Sequence, residues 1–407
     1  MAALTQEQIA IIKSTVPIIR EHGIAVTTTF YANMLAAHPE LKNLFSLRNQ
    51  QTGAQQAALA NSVLAAATNI DRLGAIAGAV DKIAHKHASL SVRPEHYPIV
   101  GEHLIGAFAQ VLGAAFTPDI KEAWTEQLYA EAGWQGWRRF TIADRADEAQ
   151  GVTSFYLEPS DGGALPAFLP GQYVSLRIAI PELGGLFQNR QFSLSLAPHQ
   201  SARQYRVTVK KETHAAAYTV DELAAGKVAG LVSQLLHERY RPGDEVQLSP
   251  PHGDFAFRAA ETPSTAPVVL LSAGVGVTPL LSILDAILGS ASQAARPVVW
   301  IHGARHSGAV AFGKHIREAA AKHGNLTAKI FLKTVRDGDA EGREYDYEGR
   351  VDLDALEADG LLPLGDASAE YYICGPEEWM VQTRAQLQGK GVSLEKQHLE
   401  LFRTGSV

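Results

Sequence analysis

The sequence predicts three domains in series: an all-helical unit over residues 1–137, an antiparallel β-barrel over 138–261, and an α/β unit built on a parallel sheet over 262–407. Three observations predict this. Up to about residue 137, Ala, Leu and Ile dominate, strand-like alternation is missing, and Pro39, Pro94, Pro98 and Pro118 fall at segment boundaries. From Phe140 the texture turns to alternating segments such as Val174–Ile178 and Tyr205–Val209, punctuated by Pro-Gly at 170–171 and 242–243. From about 262, short apolar runs alternate with helical segments, the pattern of parallel strands joined by crossover helices.

A chain of 407 residues has core enough for two or three domains. With 46% hydrophobic and 19% charged residues it reads as an ordinary globular protein, not as a disordered chain or a coiled coil. The formal net charge of −7, without a clustered basic stripe, makes nucleic acid and anionic membrane poor partners. A single cysteine, Cys374, rules out an intramolecular disulfide and a multi-cysteine metal cluster. The first residues read as a helix capped by Thr5 ahead of Glu7 and Gln8, not as a signal peptide. No apolar run is long enough to span a bilayer without Gly, Pro or charge, so the expectation is a cytoplasmic protein.

In the helical third, Ile76, Val80, Ile83 and His87 are spaced to share one helix face. His87 therefore points where the apolar stripe points, whereas His85 lies about 200° around the helix and faces solvent or a polar seam. A lone histidine on an apolar face is commonly a satisfied core residue. A neutral imidazole in an apolar pocket is also what haem iron needs.

In the middle third, Pro170-Gly171-Gln172-Tyr173 and Arg190-Gln191-Phe192-Ser193 lie at strand ends, and Gly230-Leu231-Val232-Ser233 reads as a helix N-terminus. In the last third, Val268–Leu271 is a buried strand that breaks into Ser-Ala-Gly-Val-Gly-Val and resumes as a helix near Thr278-Pro279. Gly274 and Gly276, with Val275 and Val277 around them, let backbone approach a ligand closely, and the helix start offers unpaired N–H groups to phosphate. By itself this is equally an ordinary strand–turn–helix, since the full six-position glycine fingerprint is not there. Its partner decides the matter: Glu370–Pro376 is a second apolar run, ending in Cys374-Gly375-Pro376 before a helical segment from Glu377. Two such turns at the ends of parallel strands form a ligand crevice. The next strand, Val298–His302, leads into Gly303-Ala304-Arg305-His306 with no acid nearby. At that place an acid binds the ribose 2′-hydroxyl and an Arg accommodates a 2′-phosphate; Arg305 is either that ligand or a solvated loop charge.

His38-Pro39-Glu40-Leu41-Lys42-Asn43-Leu44-Phe45, followed by Lys82-Ile83-Ala84-His85-Lys86-His87, resembles the globin domain of flavohaemoglobins, and Phe30-Tyr31, Gln55 and Leu59 complete the pattern. The resemblance implies that His87 is the proximal ligand of a b-type haem iron and that Phe45 packs on the porphyrin. It also implies that Phe30 belongs to the haem pocket, and that Tyr31, Gln55 and Leu59 line the oxygen-binding side. A phenol and an amide are donors suited to negative charge on bound oxygen. The barrel motifs are similar to those of the ferredoxin-reductase-like module in that family. There the resemblance implies that Tyr173 belongs to the flavin-binding site, that Arg190 engages the FAD pyrophosphate, that Phe192 covers the flavin ring, and that Ser193 hydrogen-bonds near its reactive nitrogen. Phe192 stands where Tyr is usual; it keeps the stacking and loses a hydroxyl. Val232 and Ser233 match the second phosphate-binding turn, and Glu400-Leu401-Phe402 the acid-x-aromatic element that packs on the flavin where nicotinamide enters.

The sequence departs from the family in three places. The last globin helix is shortened: Trp124–Glu131 runs almost at once into the linker-like Gly133-Trp134-Gln135-Gly136. The turns that carry the family's proximal Glu are missing, although Tyr97, its partner and the third catalytic candidate beside Tyr31 and Gln55, is present. Neither Glu126 nor Glu131 is in register to replace that acid, and without one His87 is a weaker electron donor. Residues from about His214 to Ala229 read as an insertion, and Arg403-Thr404 replaces a Gly-Pro. The implied activity is that of a nitric oxide dioxygenase: NAD(P)H reduces FAD, FAD reduces haem, and dioxygen and nitric oxide become nitrate. The implied partners are these two gases, and the implied state is a monomer. Two alternatives stay open: an oxygen- or nitric-oxide-binding globin with a slow reductase module, and an NAD(P)H–flavin reductase with weak haem binding.

Overall fold

A computed structural model of the chain describes residues 6–45, 47–72, 87, 90, 92, 96–113, 117, 137–180, 185–201, 203–212, 230–259 and 263–402. Among these, helical, antiparallel and parallel architectures follow one another in the expected order.

The helical part contains α1 (Gln6–Ser14), α2 (Val16–Ala37), a 3₁₀ turn (Pro39–Asn43), α3 (Leu47–Gln51), α4 (Ala54–Thr68) and α5 (His96–Leu112). Along α2, Ile19, Gly23, Val26, Phe30, Tyr31 and Met34 recur at helical spacing and are buried, so one face of α2 meets α4 and α5. Thr27 reinforces the packing, its one hydroxyl proton shared between the Gly23 carbonyl at 3.0 Å and the Gln56 carbonyl of α4 at 2.9 Å. Pro39 ends α2 because the residue before a proline avoids helical backbone: His38 sits at φ −127°, ψ 72°.

The barrel is formed by β1 (Arg138–Ala149), β2 (Val152–Pro159), β3 (Tyr173–Ile180), β4 (Leu186–Ser193), β5 (Tyr205–Lys210) and β6 (Glu245–Leu248). Their order is β4-β3-β6-β1-β2-β5, with every pair antiparallel. A bridge between Leu194 and Val207, with the Ser195 N–H donating to the Arg206 carbonyl at 2.9 Å, joins the two outer strands and closes the sheet. Alternate residues point inward, among them Phe140, Ile142, Phe155, Leu157, Val174, Leu176, Tyr205 and Val207, and α6 (Leu231–Glu238) plugs one end with Leu231, Val232, Leu235 and Leu236.

The third part is a fully parallel sheet of β7 (Val268–Ala273), β8 (Val298–Ala304), β9 (Leu326–Leu332), β10 (Tyr347–Glu348), β11 (Glu370–Cys374) and β12 (Gln397–Glu400), ordered β10-β9-β8-β7-β11-β12. On one face lie α7 (Val277–Leu288) and α8 (Gly313–Lys322), and on the other α9 (Leu353–Ala358) and α10 (Glu377–Gly389). Covered on both faces, β7 and β11 read as continuous apolar runs. The chain walks outward from β7 to β10 and then returns to β11 on the other side of β7, which makes the gap between β7 and β11 the switch point of the sheet.

Two segments rich in small or polar residues carry regular structure. Asp337–Glu348 ends in β10, where Tyr347 stacks on Phe331 with ring centroids 4.4 Å apart. Ser290–Ala295 holds a 3₁₀ turn, Ala291–Gln293, whose Gln293 is buried and accepts from the Arg296 guanidinium at 2.7 Å. Thr5, Ile76, Val80, Ile83, His85, Pro94, Pro118, the segment Trp124–Gly136, the insertion His214–Ala229 and Arg403-Thr404 lie outside the described residues. No helix among the described residues is long and apolar enough to cross a membrane.

Candidate functional site

The switch point is built by the two turns singled out in the sequence. Gly274 has φ +57°, a backbone that side-chain-bearing residues rarely adopt, and the space where its Cβ would be is open. Gly276 has ordinary backbone but no room: a Cβ there would lie 2.1 Å from the Cys374 carbonyl oxygen and 2.7 Å from the Gly375 nitrogen. The two turns are therefore in contact, and only glycine at 276 permits it. Val277, Thr278 and Pro279 form the buried first turn of α7, with the Thr278 hydroxyl donating back to the Val275 carbonyl at 3.1 Å. A 3₁₀ turn, Gly274–Gly276, leads into that helix, with the Val277 N–H donating to the Gly274 and Val275 carbonyls, so the backbone N–H groups left for a phosphate are those that open the turn, beside the free space at Gly274. Cys374 is fully buried, its thiol is pushed up by burial, and it is inert. The β11–β12 register sets Glu400 beside Cys374, so the exposed Phe402 emerges next to the Cys374–Pro376 turn.

In the barrel, the β3–β4 register puts Tyr173 opposite Ser193, Val174 opposite Phe192 and Leu176 opposite Arg190. Tyr173, Arg190, Phe192 and Ser193 thus share one corner of the sheet. Ser193 is buried, yet its hydroxyl has no partner among the described residues. The Arg190 guanidinium donates to the Asn189 carbonyl at 2.6 Å and has no carboxylate partner among the described residues; burial, then the charge of Arg48, holds it down at about 10. An orphan hydroxyl and an enclosed cation without a counter-charge fit a flavin nucleotide with its diphosphate. Gly230, at φ +73°, opens α6, and the Ser233 hydroxyl donates to its carbonyl at 2.9 Å and accepts the Glu212 N–H at 3.2 Å. With that hydroxyl taken up locally, Val232 and Ser233 offer an anion their backbone only. Arg48, on α3 of the helical part, is the cation that sequence reading missed, because nothing in the sequence sets it beside Arg190.

In the helical part, Tyr31 is 5% exposed and hydrogen-bonded to the Gln55 side chain, and burial pushes its hydroxyl up to about 12. Its ring meets Phe30 edge-on at 4.7 Å and Phe45 at 5.4 Å, and Phe45 and Leu59 pack on the same core. His87 is helical and half-buried, and its carbonyl accepts the Val92 N–H at 3.0 Å. Tyr97 is the second residue of α5. The phenol–amide pair enclosed by aromatics is the donor set expected beside a haem ligand.

The three parts are fastened together. Asn43, two residues before Phe45, accepts the Phe187 N–H at its side-chain oxygen at 3.0 Å and the Asn189 side-chain N–H at its carbonyl at 3.4 Å. This attaches the Phe45 segment to the strand that carries Arg190, Phe192 and Ser193. Ser282 of α7 donates to the Leu196 carbonyl at 2.7 Å, joining the parallel-sheet part to the same corner of the barrel.

Comparison with known proteins agrees with this layout. A Globin family model matches residues 28–130, and an Oxidoreductase NAD-binding domain model matches residues 270–385. A flavohemoprotein of Bordetella pertussis is 43% identical over 99% of this chain and 100% of its own length. The chain belongs to the flavohaemoglobin family. A flavohemoprotein of Chromobacterium violaceum is 41% identical, covering 98% of each chain. Among solved structures, a flavohaemoglobin of Malassezia yamatoensis with bound FAD and haem superposes with a TM-score of 0.80 at 26% identity, covering 99% of this chain and 100% of that one. The flavohaemoglobin-like FAD/NAD-binding domain of a Vibrio cholerae nitric oxide dioxygenase is 31% identical over 65% of this chain and 97% of its own, with a TM-score of 0.54. This flavohaemoglobin is accordingly an oxidoreductase with a helical globin domain, an antiparallel barrel and a parallel-sheet nucleotide domain.

Proposed function

We propose that the chain is an NAD(P)H-dependent nitric oxide dioxygenase, divided into a haem domain over 1–137, an FAD domain over 138–261 and an NAD(P) domain over 262–407. When bound, the nicotinamide would supply hydride, the flavin the exchange between two-electron and one-electron transfer, and the haem iron the redox centre for turning dioxygen and nitric oxide into nitrate. The chain's own residues do the rest. His87 is the iron ligand, with Tyr97 on its side of the pocket. Tyr31 keeps its proton through the physiological range, since burial holds it up to about 12, and so remains a donor to ligand oxygen, oriented by Gln55. Phe30, Phe45 and Leu59 keep water from that donor. Arg190 neutralises the flavin diphosphate, with the backbone of Val232 and Ser233 as a second contact. Ser193 offers the ring its hydroxyl, unpartnered among the described residues, and Tyr173, Phe192 and Phe402 cover it. Gly274–Pro279 and Cys374–Pro376 hold the nicotinamide nucleotide.

The observation that carries the proposal is the Asn43 attachment: it fixes the Phe45 segment of the haem pocket to the strand bearing Arg190–Ser193, the arrangement that electron transfer between the two groups requires. Two points rest on the sequence and the family alone: a cytoplasmic location and a monomer acting on the two gases. The test is nitric oxide consumption by the purified chain, followed with an electrode. We expect consumption that needs both NAD(P)H and oxygen and yields nitrate. Reversible gas binding without consumption, or a flavoprotein spectrum with no Soret band, would overturn the proposal.

A further inference from the structure

The glycine turn at 274–276 holds the middle of a dinucleotide, and the sheet decides where its two ends go. Toward β11 lies the Cys374–Pro376 turn, next to Phe402. Toward β8 and β9, the registers pair Ala273 with Gly303 and Ala304 with Leu332, so the loops leaving these strands lie side by side. The nucleoside end of the ligand must cross them.

On that path lie three basic residues, two of which meet. Arg305 and His306 directly follow β8, and Arg336 lies four residues beyond β9. Arg336 and His306 converge on Gly308: a Cβ there would sit 3.0 Å from Arg336 Nη1 and 3.5 Å from His306 Nδ1. His306 Nδ1 is buried and has no partner among the described residues. Neither guanidinium is hydrogen-bonded or ion-paired among the described residues. One carboxylate, Asp339, stands beside them: it accepts the Arg336 backbone N–H at 2.8 Å, bonds the Ser307 side chain, and offsets part of the charge of Arg336 and His306, leaving the cluster basic on balance. The loop is also held in shape. Gly308 accepts the Gln150 N–H of the barrel at 2.8 Å, and Ala309 and Val310 donate to His306 and Ser307 at 2.9 and 3.1 Å. A basic cluster of this kind on a preorganised loop is built for a doubly charged oxyanion, not for a neutral hydroxyl.

We propose that Arg305, His306 and Arg336 form a subsite for a ribose 2′-phosphate, so that this chain takes NADPH in preference to NADH. The inference rests on the reading of the glycine turn as a nicotinamide nucleotide site and adds the member of that class it selects. An acid at the end of β8, which would bind a free 2′-hydroxyl, is missing, and the residues there are Arg305, His306, Ser307 and Gly308. Arg336 could not be found from sequence, because it reaches the loop from the next strand.

The test is calorimetric titration of the full chain with 2′,5′-ADP and with 5′-AMP, beside Arg305→Ala and Arg336→Ala. Removing either guanidinium should weaken 2′,5′-ADP binding about tenfold and leave 5′-AMP binding unchanged. The unmodified chain should bind 2′,5′-ADP at least tenfold tighter than 5′-AMP, roughly the effect of one charge-assisted hydrogen bond. Arg336→Lys, which keeps the charge, should recover part of the affinity. Equal affinity for the two probes, with NADH still reducing the flavin, would overturn the 2′-phosphate subsite and leave the nucleotide site standing. If neither probe nor NADH binds, the nucleotide reading itself fails.

Discussion

The Asn43 side-chain oxygen accepts the Phe187 N–H at 3.0 Å, across a junction between residues 144 apart in the chain. Asn43 ends the 3₁₀ turn that leads to Phe45, and Phe187 lies on the strand that leads to Arg190, so this contact ties the two segments proposed to line the haem and flavin pockets. A hydrogen bond of this kind contributes on the order of 1 kcal/mol, about fivefold in a docking equilibrium. Asn43→Ala should therefore retain both chromophores yet slow haem reduction by flavin about fivefold. Stopped-flow absorbance under anaerobic conditions measures this, and an unchanged rate would mean that the contact does not position the domains.

Tyr31→Phe should leave haem and flavin bound and speed oxygen dissociation. It removes one donor to a partly charged acceptor, a loss of about 1.5–3 kcal/mol, or roughly tenfold or more in off-rate. Because burial holds the hydroxyl up to about 12, the off-rate of the unmodified protein should show no titration of Tyr31 between neutral and mildly alkaline pH. An off-rate equal in the two proteins would remove Tyr31 from the ligand.

Gly276→Ala should damage nucleotide docking and spare the other pockets. The added methyl falls 2.1 Å from the Cys374 carbonyl oxygen, so one of the two turns must move. Overpacking of this sort costs about 1–3 kcal/mol. The expected result is a raised Michaelis constant for NAD(P)H with the flavin and Soret bands unchanged; unchanged kinetics would separate the turns from the site.

His302 is fully buried on β8, with Nδ1 hydrogen-bonded to the Ser272 hydroxyl at 2.8 Å and Nε2 unpartnered among the described residues, and burial pulls it down from 6.5 to about 4. The unfolded chain takes up a proton below pH 6.5 that the folded one refuses until about 4. Folding stability from this group is thus complete above 6.5 and is lost as pH falls toward 4, by up to about 3 kcal/mol. His302→Gln should flatten the fall of the urea midpoint across this window. An identical fall in the variant would assign the acid sensitivity to other groups.

Much of this was legible in the sequence, and for physical reasons. Val268–Leu271 and Glu370–Cys374 stand out because strands covered on both faces need unbroken apolar runs. The glycines between strand and helix stand out because Gly276 leaves no room for a side chain and Gly274 has a backbone that other residues rarely adopt. What sequence did not carry was distance. The Leu194–Val207 closure, the short central strand Glu245–Leu248 and the Asn43–Phe187 contact depend on pairings between remote residues, for which local pattern holds no signal. The same holds for Arg48 beside Arg190 and for Arg336 beside His306. The Tyr347–Glu348 strand was hidden by its polar surroundings, although Tyr347 covers Phe331. In the haem pocket, the choice of His87 over His85 concerns a helix face whose other members, Ile76, Val80 and Ile83, lie outside the described residues.

The measurement that bears most directly on the electron path is anaerobic mixing of the purified chain with NADPH, watched by rapid-scan absorbance. We expect the flavin band to bleach first and the Soret band to move to its ferrous position afterwards, in the same molecules and without an added mediator. Flavin bleaching with the haem left ferric, or a chain with no Soret band to follow, would contradict it.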